Sequence, residues 1–303
     1  MTREERARQQ ERISRRERIR RKKGRRLRRK IRNACCLTIL TAVLCVASGL
    51  LISCLKWTGV LPNSPSYEIE PPVIRTENEV KERIEELAKK DRGFKEILKN
   101  YDEYPEVYLA ALANNPEMLD YVKGYLKHEK LDAALTKKDT SASYPLFLQW
   151  DRRWGYASYG DKSSIGISGC GPTCLAMVAY ALTKDASVTP FETAQYSEIQ
   201  GYYVEGTGTS WELMTKGAEA FGIKGSELSL NEDQMKRALD AEHPIICAMG
   251  PGDFTTAGHF IMIYGYDKKG FSVNDPNSRA RSSKKWTYEE LSGQIKNLWA
   301  YQS

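Results

Sequence analysis

Three hydrophobic patterns divide the chain. Residues 34–55, ACCLTILTAVLCVASGLLISCL, run for 22 positions without a charge, and about 20 apolar residues in a helix span a bilayer core. Between residues 76 and 136 the apolar positions follow a helical period. Val80, Ile84 and Leu87 recur at i, i+4 and i+7, the stripe of an amphipathic helix. Thr76 and Glu79 have the spacing of a capping box at its start. Gly93 interrupts this helix, and Phe94, Ile97 and Leu98 open a second. Tyr104-Pro105 starts a third with Val107, Leu109 and Leu112. Asn115-Pro116 breaks the chain before a fourth, from Met118 to Leu126. The prediction is a small all-helical module over residues 76–136. Its tyrosines (101, 104, 108, 121 and 125) recur at helical spacing and are assigned to packing rather than to a binding face.

Past a polar junction, KKDTSAS at residues 137–143, the pattern changes again. YPLFLQWDRRWGYASYG is rich in β-formers and turn residues, and CGPTCLAMVAYALT is a strong helix. Residues 211–221, WELMTKGAEAF, are predicted as a further helix, and Glu232 to Asp240 as another. HPIICAMG, GHFIMIYGYD and GFSVNDP read as strands, with Asp267 to Gly270 as a hairpin turn. Helices first and hairpin-connected strands later predict an α+β fold rather than alternating βαβ units. Residues 144–303 form the predicted second domain. Residues 56–75, rich in Pro, Ser and Asn, read as an extended linker.

Charge sharpens this division. The net charge of +7 comes from one end, since residues 1–33 hold 17 basic and 4 acidic residues. The remaining residues are mildly acidic, with 29 basic against 35 acidic side chains. A basic arm followed by an uncharged run, with Lys56 and Trp57 beyond it, predicts a single-pass membrane helix whose N-terminus stays cytoplasmic. The body then lies outside the cytoplasmic membrane. Leu51-Ile52-Ser53-Cys54 offers a second anchor of the same consequence, a lipoprotein lipidated at Cys54. The arm has no aromatic residue to stack on bases, so no nucleic-acid partner is expected.

Four of the seven cysteines fall in residues 34–55, leaving Cys170, Cys174 and Cys247 for the body. Their spacing predicts no disulfide framework. No two of the three histidines share a short spacing, so neither a metal nor another cofactor is expected. Cys174 lies on the apolar face with Met177 and Val178, and Cys247 lies within a strand; both read as buried structural thiols. Cys170 differs. Gly169 and Gly171 permit a tight turn around it, and Pro172 suits the first turn of a helix. A cysteine at a helix N-terminus meets a dipole that favours the thiolate and free N–H groups that can hold an oxyanion.

A nucleophilic thiol needs a base, and the base an orienting group. His259 opens a predicted strand after Gly258, whereas His243 precedes Pro244 in a loop and His128 sits among charged residues. Asp275 closes the next strand. The Asp267–Gly270 turn would put His259 and Asp275 at the same end of the sheet. Asn274 is the adjacent alternative orienter, and strand alternation allows only one of the two to serve.

Cysteine, histidine and aspartate in this order resemble the papain-fold cysteine peptidases. LFLQWDRRWG, SGCGPTCLAMVAYAL, GTGTSWELM, FTTAGHFIMIYGYD and FSVNDPNS are similar to motifs of the bacterial peptidase family related to the bacteriocin double-glycine leader peptidases, the C39-like peptidases. The resemblance implies Cys170 as nucleophile, His259 as base, Asp275 as orienter and Gln149 as an oxyanion-hole donor. It also implies a bacterial surface location. Gly169, Gly171, Thr209, Trp211 and Gly258 are assigned to the substrate cleft, although core packing serves Trp211 equally well. The expectation is a membrane-anchored, extracytoplasmic cysteine peptidase acting on a peptide or protein through a thioester. A cell-wall peptide amidase or transpeptidase on the same fold, and a non-catalytic peptide-binding module, are the alternatives.

Overall fold

Thr76 caps the first helix as a complete capping box: its hydroxyl accepts from the Glu79 N–H and the Glu79 carboxylate accepts from the Thr76 N–H. That helix, α1 (Glu77–Lys90), is followed by α2 (Gly93–Lys99), α3 (Glu106–Asn114) and α4 (Leu119–Tyr125). The computed structural model describes residue 67 and residues 70–127 and 132–303. His128 and the uncharged run at 34–55 lie outside these residues. Among the described residues no helix is long and apolar enough to cross a membrane. The chain divides into Met1–Pro65 and Ser66–Ser303, and all elements below belong to the second unit.

The helical residues share one core. Val80, Ile84, Leu87, Phe94, Ile97, Leu109 and Leu112 are buried together. Leu148 and Trp150, beyond the polar junction, are buried with them. Polar bonds run the same way. The Tyr121 hydroxyl donates to the Gly155 carbonyl at 2.9 Å, and the Tyr108 hydroxyl meets Ser164 Oγ at 3.0 Å. Glu117 accepts from Ser278 Oγ at 2.5 Å and from the N–H groups of Arg279 and Ala280 at 2.9 and 3.1 Å. The helices therefore hold two separate segments of the second half, one just before Cys170 and one just after Asp275.

The second half is a mixed helix-and-sheet structure. After α5 (Ile165–Ser168) comes α6 (Cys170–Thr183), then α7 (Pro190–Ile199). A small ribbon of β1 (Tyr203–Val204) and β2 (Gly208–Thr209) follows. The six-stranded sheet contains β3 (Lys224–Glu227), β4 (Ile245–Met249), β5 (His259–Asp267), β6 (Gly270–Asn274), β7 (Lys285–Trp286) and β8 (Ile295–Gln302). Its order is β3-β8-β4-β5-β6-β7, with every pair antiparallel. The helices α8 (Glu232–Asp240), α9 (Arg279–Ser283) and α10 (Tyr288–Ser292) complete it.

Strand alternation explains why the inner strands read as continuous apolar runs. Ile246, Ala248, Phe260, Met262, Trp299 and Tyr301 pack with the buried residues of α6. Their neighbours Ile245, Cys247, Met249, Ile261, Ile263 and Leu298 pack on the other face with Met235 of α8 and with Trp286. A strand covered on both faces needs apolar residues at every position.

Two predicted elements differ. Residues 211–221 are not one helix but two short 3-10 turns, Trp211–Met214 and Gly217–Phe221. Thr215 breaks them at φ −116° and ψ −86°. Gly217 packs against Leu213, where a Cβ would come within 2.7 Å of its side chain. Residues 144–160 carry turns and no strand. Their β-forming aromatics, Phe147 and Trp154, are instead buried beside α6.

Candidate active site

Gly169 ends α5 and Cys170 begins α6, so the thiol sits at the first position of a fourteen-residue helix. Pro172 has no N–H to leave unpaired, and Thr173 N–H bonds the Gly169 carbonyl at 3.0 Å. Cys170 and Gly171 therefore supply the first-turn donors that a helix cannot pair internally. Gly171 allows β2 to approach: a Cβ there would lie 2.8 Å from Thr209 Oγ1. Gly169 is equally confined, its Cβ position 2.5 Å from the Ile165 carbonyl oxygen. Both glycines hold the backbone of the turn in place.

His259 is the first residue of β5 and Asp275 directly follows β6, whose register pairs Met262 with Asn274. The two strand ends meet as the hairpin requires. His259 Nε2 and Asp275 Oδ1 are 2.7 Å apart. Since Asp275 takes Nε2, Nδ1 is left to face Cys170, which is close enough to help raise the pKa of the ring. The neighbouring Asn274 points elsewhere, donating to the carbonyls of Tyr144 and Pro145 at 3.2 and 3.0 Å. Of these two neighbours, Asp275 meets the imidazole and Asn274 does not.

Burial by itself would depress the His259 pKa, but the Asp275 charge and hydrogen bond, with the contribution of Cys170, push it up to about 9. Burial would likewise raise Asp275. The Arg281 guanidinium and then His259 overcome it and hold the carboxyl at about 2. Arg281 is itself buried and donates its Nε–H to Asp275 Oδ2 at 2.5 Å. Nothing in the sequence RARSS marks this arginine as buried. It becomes so because Ser278 caps α9 and folds the segment back onto Asp275.

These shifts fix the sign of a pH dependence. A His259 pKa raised from 6.5 to about 9 gives stability that is fully present below pH 6.5 and lost as the pH rises through about 9. The Asp275 contribution is present above pH 3.8 and lost as the pH falls through about 2. The stability difference between wild type and His259→Gln is therefore expected to be constant from pH 5 to 6.5 and to shrink towards pH 9. Urea melts at four pH values measure it, and a difference that grows with pH would contradict the ion-pair assignment.

Cys170 and His259 open into a cleft of 690 Å³. Gln149, Thr209, Trp211 and Gly258 line it as well. Trp211 is exposed and packs edge-on against Trp299. The Thr209 hydroxyl is held by Tyr159 at 2.8 Å. Gln149 reaches the cleft, but its Nε2 donates to the carbonyls of Gly166 and Ile167 at 3.0 and 3.3 Å. Its buried Oε1 has no partner. Cys174 and Cys247 are buried, and burial pushes both thiols up. Among the described residues, no group of three or more His, Cys, Asp or Glu is placed to hold a metal ion.

The chain has a cysteine peptidase-type fold, with thiol and imidazole brought to one cleft and the carboxylate buried against the imidazole. Residues 142–303 match the Peptidase_C39 like family, and the chain belongs to it. The resemblance carried by the sequence motifs is thereby shown. Among solved structures the chain is similar to the peptidase domain of Streptococcus ComA, described as a bi-functional ABC transporter involved in a quorum sensing pathway. Identity there is 19% and the TM-score 0.37, over 52% of this chain and 96% of that one. No curated protein matches the chain.

Proposed function

We propose that this protein is a membrane-anchored cysteine peptidase in which Cys170 is the nucleophile, His259 the proton carrier and Asp275 its orienter. The observation that carries the reading is His259 held between Cys170 and a buried carboxylate within one open cleft. His259 takes the proton from Sγ, and the buried Asp275 carboxylate favours the imidazolium that forms. The sulfur then attacks the substrate carbonyl carbon and the carbonyl oxygen takes the negative charge. The Cys170 backbone N–H faces that oxygen at the helix N-terminus. Gln149 adds the amide hydrogen that now makes the longer bond, 3.3 Å, to the Ile167 carbonyl. As the tetrahedral intermediate collapses, His259 passes its proton to the leaving amine and the C–N bond breaks. This leaves a thioester on Cys170. Water, deprotonated by His259, attacks the thioester; the acid departs and the proton returns to the Cys–His pair. The basic arm and the uncharged run 34–55 support a cytoplasmic N-terminus and an extracytoplasmic body.

The test is alkylation of the full-length protein with iodoacetamide from pH 5 to 9, with adducts located by mass spectrometry. Cys170 is expected to react at pH 6 at least about tenfold faster than free cysteine, while buried Cys174 and Cys247 stay unmodified. Cys170→Ser is expected to abolish hydrolysis of a mixed peptide library. A Cys170 that reacts no faster than free cysteine would sink the peptidase reading.

A further inference from the structure

The helix α3 is apolar on more sides than the core needs. Tyr108, Leu109, Leu112 and Ala113 are buried with the other helices. Val107, Ala111 and Asn114 lie at i, i+4 and i+7 on a different stripe, and all three line the cleft that holds Cys170 and His259. Val107 is 44% exposed. Asn114 is not free to bind anything else. Its side chain accepts from Val73 N–H at 3.0 Å and donates to the Val73 carbonyl at 3.1 Å. This anchors the segment that brings Pro72 to the same cleft. Val107, Ala111, Pro72 and Met118 make this wall apolar and uncharged.

An apolar helix stripe left in water costs about 25 cal/mol for each Å² of apolar surface, and a partner that covers it recovers that. The neighbouring thiol says which partner. Any chain whose carbonyl reaches Cys170 lies in this cleft, and 690 Å³ is in the range of a site that encloses a short peptide segment. These wall residues also fall outside the 142–303 family match.

We infer that α3 is a substrate-selecting wall: the Val107–Ala111 stripe receives an apolar side chain of the peptide whose carbonyl meets Cys170. The inference rests on the cysteine-peptidase reading. It gives the helical segment a role in choosing substrate.

The experiment uses the full-length protein and two kinds of alkylating probe. Iodoacetamide is too small to need the wall and reports only on Cys170. The tripeptide chloromethyl ketones Leu-Leu-Gly and Glu-Glu-Gly need the cleft. Wild type is expected to react faster with the leucine probe. Val107→Lys is expected to lower the leucine-to-glutamate rate ratio at least about tenfold, each rate being taken relative to the variant's own iodoacetamide rate. Ile74→Lys is the control, since Ile74 is 85% exposed and does not line the cleft; it should move neither rate. A thermal melt confirms that the variants fold. An unchanged ratio in Val107→Lys, or no leucine preference in wild type, overturns the wall while leaving a fast Cys170 intact. A Cys170 inert to iodoacetamide overturns the peptidase reading and the wall together.

Discussion

In a His259→Ala variant, Cys170 is expected to lose its reactivity at pH 6 and the protein its peptide hydrolysis. A thiol without a base ionises near the ordinary value of about 8.5, so only about 3 in 1000 are thiolate at pH 6. A thiol of higher pKa is a better nucleophile when ionised, which returns part of that loss. The decisive readout is therefore the shape of the alkylation profile, which should become a single rise near pH 8–9. Hydrolysis loses more, because the leaving amine also loses its proton donor. A fall of about 10³-fold or more in kcat/KM is expected. The fold should survive, since His259 stands at the start of β5 and its removal leaves Asp275 still paired with Arg281. Equal profiles for variant and wild type would remove His259 from the mechanism.

Asp275→Ala is expected to be the most destabilising single change at the site. The carboxylate is fully buried and accepts three bonds: from His259 at 2.7 Å, from the Asn277 N–H at 2.8 Å and from Arg281 at 2.5 Å. Removing it strands a guanidinium away from water. Breaking a buried pair in this way costs about 3–5 kcal/mol. At about 2–4 °C per kcal/mol for a unit of this size, the melting temperature should fall by about 10 °C. The double variant Asp275→Asn with Arg281→Met separates two roles. It removes both charges, so most of the thermal stability should return. Its Cys170 should stay as unreactive as in the single variant, because the imidazole no longer has a carboxylate. Recovery of reactivity together with stability would make Asp275 a structural residue only.

Much of the site was legible because its signals are local. The glycines around Cys170, the proline after it and the apolar run beyond specify a helix start within five residues. His259 and Asp275 were placed together by a hairpin whose turn, Asp267 to Gly270, is short enough to set the register. The choice between Asn274 and Asp275 needed three dimensions, since neighbouring strand residues differ only in the face they present. Arg281, Glu117 and Val107 were beyond sequence reasoning. Glu117 caps α9 across 161 residues, and no local pattern announces such a contact. Val107 belongs to an apolar helix pattern that looks like core throughout, and only packing shows which stripe the core leaves uncovered. The polar stretch 137–143 marks a change of pattern along the chain, yet Leu148 and Trp150 beyond it pack with the helices. The pair of 3-10 turns at 211–221 was missed because Gly217 trades helix propensity for close packing on Leu213.

The place of β8 in the sheet bears on when the site can assemble. Its residues are made after those of every other strand, yet it pairs with β3 on one side and β4 on the other. Until residue 302 has been synthesised, β3 has no neighbour and β4 has an open edge. Trp299 and Tyr301, which pack in the core with α6, are also missing until then. Long-range pairing of this kind forms slowly. A growing chain thus holds Cys170 and His259 in its sequence well before it holds them in one cleft. Synthesis itself becomes a timer: translation of nearly the whole family-matched region precedes the first moment at which the completed sheet can bring Cys170 and His259 together.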